Sequence, residues 1–200
     1  GSSKLTVMVL DANSRISLSN NDSGGTGGAD STSGNTLFGY LAGTAIISGG
    51  VENTLIGHSA GEALTEGDWN TAIGVQALNT DDVGRGSTAV GAWSLYTQNI
   101  ASEGETGNTG IGYKAGFTNL TGTNNTWVGF NAGLGGTGSN SNNVGVGSNA
   151  LLAITTGSKN IAIGKSAGQA LTTGEQNIAI GTDALFYGST ESDDNVAIGV

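Results

Sequence analysis

One five-residue phrase, repeated ten times, constrains this chain more than any single residue does. It reads Asn or Ser, then Thr, Ile or Val, then a variable residue, a large apolar residue and Gly. The copies begin at Asn35, Asn53, Asn70, Ser87, Asn108, Asn125, Asn143, Asn160, Asn177 and Asn195, so nearly all steps are 17 or 18 residues, with one of 21 after Ser87. A period this regular means that each unit stacks on the next copy of itself, which is the signature of a repeat architecture.

Counting the Asn as position 0, position 3 is Phe38, Ile56, Ile73, Val90, Ile111, Val128, Val146, Ile163, Ile180 and Ile198. Large and mostly β-branched, it reads as the buried face of a short strand. Position 1 shares its parity, and is Thr in the first six copies, then Val144, Ile161, Ile178 and Val196. Position 2, mostly Ala or Gly but once Trp127, faces the other way. Position 4 is always Gly, including Gly74, Gly164 and Gly181, as a corner or a tight seam requires. Position 7 is Ala or once Ser, and such a row of small residues is read as a surface for close packing by a neighbour. Position 11 (Ile46, Leu64, Ile154, Leu171), followed by Gly at position 14, reads as a second short strand and a turn.

These columns predict an all-β fold: a parallel β-solenoid of about ten 17- to 18-residue repeats over residues 35–200, with the recurring Asn (Asn70, Asn160, Asn177 among them) laddered between coils. Nine steps of about 4.8 Å give a rod of roughly 43 Å. So thin a coil buries little apolar surface alone, and self-association around a threefold axis is the expected remedy. Residues 1–34 differ: Lys4 to Leu10 and Ser14 to Ser19 read as a strand pair, followed by a Gly/Ser/Asp/Asn connector or cap. The Gly1-Ser2-Ser3 start reads as a cloning remnant, and the tenth phrase stops just after Gly199, as expected of a segment truncated at its C-terminus.

Charge narrows the partners. Sixteen acids against six bases give a net charge of −10, which disfavours nucleic acid and anionic membranes. Most acids fall between the phrases, where a solvated rim is expected. No apolar run is long enough for a membrane span, and with no Cys there is neither a disulfide nor a thiolate metal site.

The phrases NTAIGVQAL (70–78), NTGIGYKAG (108–116), NIAIGKSAG (160–168) and NIAIGTDAL (177–185) resemble repeats of bacteriophage tail fibres and trimeric bacterial adhesins. Their NxxIG core is similar to the head repeats of YadA-type trimeric autotransporters, although those use a shorter period. LDANSRISLSNND (10–22) is similar to segments that precede such repeats in phage fibres. The resemblance implies an elongated homotrimer, as a β-roll or an intertwined triple β-helix, located outside the cell on a virion tail fibre or a bacterial surface. It implies attachment to a cell-surface glycan or protein receptor.

A catalytic constellation is not evident. The one histidine, His58, lies at position 5, a slot that varies freely. Asp81-Asp82 and Asp193-Asp194 could supply paired carboxylates for a carbohydrate-active tail spike, yet adjacent acids in turns are expected in solvent. Gly164-Lys165-Ser166 lacks the upstream Gly of a phosphate loop, since Lys159 stands there. A calcium-binding solenoid has no assignable ligands here. An ice-binding face must be flat and outward, whereas the Thr column shares parity with the position read as buried and gives way to Val or Ile in the last four copies. The chain is therefore read as a non-enzymatic fibre segment without cofactor or metal. The contact candidates are the exposed aromatics Tyr40, Tyr113 and Phe130, and Glu103 and Glu105 in the longest inter-repeat loop, 98–107.

Overall fold

The computed structural model describes residues 34–46, 49–100, 103–135, 138–187 and 191–200. The strand pair and connector expected over 1–34 lie outside the described residues. Each phrase forms one three-residue strand: β1 Thr36–Phe38, β2 Thr54–Ile56, β3 Thr71–Ile73, β5 Thr88–Val90, β7 Thr109–Ile111, β8 Thr126–Val128, β9 Val144–Val146, β10 Ile161–Ile163, β11 Ile178–Ile180 and β12 Val196–Ile198. The ten make a single parallel sheet in chain order, with equivalent positions paired throughout, as in Thr71↔Thr88 and Ile161↔Ile178. The chain is thus a parallel β-solenoid of stacked coils, each strand pairing with the next copy in the same chain. A further two-stranded sheet pairs β4 Gly84–Arg85, at the end of the Asn70 coil, with β6 Gly104–Glu105 in the long coil after Ser87.

The coil is one-sided. Its position-11 residues Ile46, Leu64, Ile154 and Leu171 are buried as expected, but they lie in turns rather than in the second strand read from the sequence. Backbone hydrogen bonds between coils run along that side too, as from the Thr65 N–H to the Asp82 carbonyl at 2.7 Å and from the Thr155 N–H to the Thr172 carbonyl at 2.8 Å, but they do not form a regular strand ladder.

The parity of the strands is the reverse of the expected one. Position 2 points inwards, with Leu55, Ala72, Ala89, Trp127, Ala162 and Ala179 at 0 or 1% exposure. Position 3 points outwards: Ile73, Ile111, Ile163 and Ile180 are 36 to 41% exposed. The position-7 row of small residues is also interior (Ala60, Ala77, Ala115, Ala132, Ala150, Ala167), so it packs the core rather than a neighbour. Alternation fixes which residues share a face, but not which face is inside.

Volume exchange between two columns explains the inward choice. Where position 2 is large (Leu37, Leu55, Trp127), position 8 is Gly (Gly43, Gly61, Gly133); where it is Ala72, Ala89, Gly145 or Ala179, position 8 is Leu78, Leu95, Leu151 or Leu185. Two coils are small at both, Gly110 with Gly116 and Ala162 with Gly168, and there Trp127 and Leu95, or Leu151 and Leu171, occupy the space. A methyl added at Gly61 would lie 2.9 Å from Leu55, and one at Gly133 only 2.3 Å from the Trp127 ring. The two columns fill the same space, as a close-packed interior demands.

The invariant Gly at position 4 has two causes. Its φ lies between 128° and 139°, and a Cβ at Gly74 or Gly164 would meet the next coil's glycine carbonyl oxygen at 2.6 or 2.4 Å. Both the backbone angle and the inter-coil spacing exclude a side chain.

The Asn column forms the expected ladder. The Asn143 side-chain oxygen accepts from the Asn160 backbone N–H at 2.9 Å, that of Asn160 from Asn177 at 2.9 Å, and that of Asn53 from Asn70 at 2.9 Å. Each amide nitrogen also donates across its own coil, as Asn70 does to the Gly84 carbonyl and Asn160 to the Gly174 carbonyl, both at 2.8 Å. One residue thus ties the coil closed and to its successor.

Candidate functional site

The sheet's outward face is the most conspicuous surface. Positions 1 and 3 line it in register from β1 to β12, with Thr then Val or Ile in one column and Phe, Ile or Val in the other. Three residues at about 3.3 Å and ten strands at about 4.8 Å make a strip of roughly 10 by 43 Å. Among its apolar side chains are Phe38 at 61% and Ile198 at 73% exposure. The position-3 column is apolar along its whole length and is joined by Val144, Ile161, Ile178 and Val196 in the last four strands; a continuous apolar column of this length, on a strip of roughly 400 Å², marks an interaction face. The Thr column lies on this outward face, which removes one ground against an ice-binding ladder; the other stands, since Val or Ile replaces Thr from Val144 onwards.

A second surface runs along positions 5, 6 and 9, just past the invariant Gly. Tyr113 and Phe130, from successive coils, stack at 5.4 Å between centroids with 8° between planes, and Trp93 meets Tyr113 edge-on at 5.3 Å. Tyr96 and Phe117 stack beside them at 5.1 Å. The Lys114 ammonium lies 5.2 to 5.6 Å from the Phe117, Tyr113 and Trp93 rings, within cation–π range. The third aromatic candidate, Tyr40, lies apart from this tract, tilted against the exposed His58 at 5.5 Å.

The loop candidates are less free than the sequence implied. Glu103 pairs with Arg85 at 2.7 Å, and the Arg85 Nε lies 3.2 Å from Asp68. Glu105 is exposed but held in β6. Gln98 and Thr106, at the two ends of the loop, are buried, so both ends are held within the coil.

Inside, the three successive coils beginning at Asn70, Ser87 and Asn108 replace the apolar position 11 with Asp81, Gln98 and Asn119, all buried. Asp81 was expected in solvent; instead it accepts from Gln98 Nε2 at 2.5 Å and from the Gly84 N–H at 3.1 Å. Burial pushes its carboxyl up to about 6, against the lowering by the Gln98 and Gly84 hydrogen bonds. Asp68, 7% exposed, is another acid that departs from the expected solvated rim. Gln98 also stands in for the amide absent at Ser87: it donates to Ser87 Oγ at 2.9 Å and accepts from Asn108 Nδ2 at 2.9 Å. The Asp81-Gln98-Ser87-Thr106 network lies within the coil stack and serves the ladder. Its neighbour Asp82 offers its backbone carbonyl to Thr65.

Asp193 and Asp194 are engaged with the preceding coil, accepting from the Glu175 N–H and the Gln176 side chain. Among the described residues no three His, Asp or Glu side chains come together as a metal-holding group, and no helix is long and apolar enough to cross a membrane. A shallow depression of about 520 Å³ along Thr44, Glu62, Asn79 and their neighbours contains one carboxylate, Glu62, which accepts from Asn79 at 3.2 Å.

Position 8 is the feature that sequence reading missed. Its choice of Gly wherever position 2 is large, and of Leu only where position 2 is Ala or Gly, would have marked position 2 as the interior. Comparison of the chain with models of protein families, with curated proteins and with solved structures gives no match.

Proposed function

We propose that this chain is a structural and adhesive segment of a homotrimeric surface fibre, a phage tail fibre or bacterial adhesin, that holds receptor-binding surfaces away from their anchor. The observation that carries this reading is the apolar outward strip. Three strips meeting on an axis form a closed core along the whole rod, and the narrowness of each strip suits a threefold arrangement. Burying roughly 400 Å² per protomer is worth about 10 kcal/mol before the cost of association. The repeated phrases that resemble trimeric fibre proteins agree with this geometry. The function follows from stiffness and copy number: three identical surfaces at fixed spacing turn weak contacts into avidity.

Analytical ultracentrifugation tests it. The expected species has three times the 19.7 kDa chain mass, and the double substitution Ile111→Lys with Ile163→Lys, both on the strip, converts it to monomers that keep their β signal by circular dichroism. A parent protein that sediments as a monomer overturns the reading. The outward Thr column favours a second reading, an ice-binding face on a monomer, for which thermal hysteresis is the measurement.

A further inference from the structure

We propose that the aromatic tract of the coils beginning at Ser87, Asn108, Asn125 and Asn143 is a saccharide-binding site, built for a neutral glycan that carries an occasional carboxylate sugar. The inference rests on the attachment reading above and names its ligand class.

Four observations converge. Lys114 is one of only six basic residues in a chain of net charge −10, and among the described residues its ammonium faces aromatic rings and forms no ion pair. A cation lodged among apolar rings without a counter-ion is a receptor for a single anionic group. Phe130 is 53% exposed and stacks on Tyr113 through one face; the next coil carries Ser148 in its column, so the other face has no ring partner among the described residues. An open aromatic face accepts the apolar C–H face of a pyranose. Ser148 and Asn149 follow on that side, and both are partly exposed hydrogen-bonding side chains suited to sugar hydroxyls. From Lys114 to Asn149 the site spans two coil steps, about 10 Å, the reach of a disaccharide.

The same surface disfavours other anionic partners. The backbone is spent on coil stacking, with the Asn131 N–H donating to Tyr113 O at 3.0 Å and the Asn149 N–H to Phe130 O at 2.9 Å, so no strand edge is free for a peptide. A polyanion such as nucleic acid would be repelled by the overall charge.

The test is an array of oligosaccharides containing uronic or nonulosonic acids, printed beside their methyl esters, probed with the full chain while its sedimentation is followed in parallel. Binding to the acids is expected, with roughly tenfold weaker binding to the esters and an equal loss for Lys114→Gln. Phe130→Ala is expected to lose binding to both at unchanged sedimentation, and Thr182→Ala, in the same column three coils on, to bind as the parent does. No binding across the array, equal binding to acids and esters, or full binding by Lys114→Gln overturns the site. A Phe130→Ala variant that dissociates puts the ring in the inter-protomer seam and overturns it too. If the parent is itself a monomer the fibre reading fails separately, while the preference for acids over esters persists at reduced avidity.

Discussion

Trp127 shows how tightly single residues are matched in this core. It is fully buried in β8, opposite Gly110 on one side and Gly145 on the other, and added methyls at Gly116, Gly133 and Gly145 would all collide with its ring. Three glycines have made way for one indole. Trp127→Ala is expected to cost about 3 to 5 kcal/mol in denaturant unfolding, since neighbours without side chains cannot collapse into the space. Gly133→Leu in that background restores the Leu-with-small pairing of the Ala72 and Leu78 coil, and is expected to recover part of the loss. What the sequence left illegible has the same origin: position 3 is bulkier than position 2, and bulk alone suggests burial. The buried volume is in fact shared between positions 2 and 8, which are far from adjacent in sequence. Twenty described non-glycine residues with positive φ, Leu78, Leu95 and Leu151 among them, were equally hidden, because the coil imposes on them angles that their side chains disfavour.

Among the elements, the Asn ladder does what an interior β-sheet edge does elsewhere. Asn160 accepts from the Asn177 backbone and side-chain N–H groups at 2.9 and 3.0 Å, and donates to Asn143 Oδ1 and Gly174 O at 3.1 and 2.8 Å. Asn160→Ser strands the buried Gly174 carbonyl, and is expected to destabilise by about 2 to 3 kcal/mol in equilibrium unfolding. Ser is tolerated at position 0 of the Ser87 coil because Gln98 supplies the missing amide, whereas the corresponding residue of the Asn160 coil is Leu171. A variant combining Asn160→Ser with Leu171→Gln that regains stability would confirm that the two positions act together. The strands and the ladder were legible in the phrase itself, because Asn, β-branched residues and Gly each have one physical use there. The small β4–β6 sheet was not, since its pairing depends on a single long connection.

At the scale of the whole molecule, the polar interior around Asp81 gives the rod an acid-favouring stability profile. Its folded carboxyl titrates near 6, above the ordinary 3.8, so the folded state holds this proton more tightly than the unfolded chain does. The contribution is fully present below about 3.8 and is lost as pH rises through about 6. Denaturant unfolding at about pH 4 and about pH 7 should show Asp81→Asn gaining on the parent by about 3 kcal/mol at the higher pH. An unchanged difference between the two proteins would mean that Asp81 is solvated in the native state. The outward strip acts at this scale as well, because only ten coils in register turn a pair of modest side-chain columns into a face large enough to bind.

The 21-residue coil has a consequence for how such a rod can change. Thr88 pairs with Thr109 and Val90 with Ile111 in the same register as every other step, although extra chain lies between them. Length along the axis is therefore counted in coils, like the marks on a ruler, and is blind to how many residues each mark contains. Loops can be lengthened, shortened or exchanged for new recognition elements at any mark. The distance at which each element is presented stays the same.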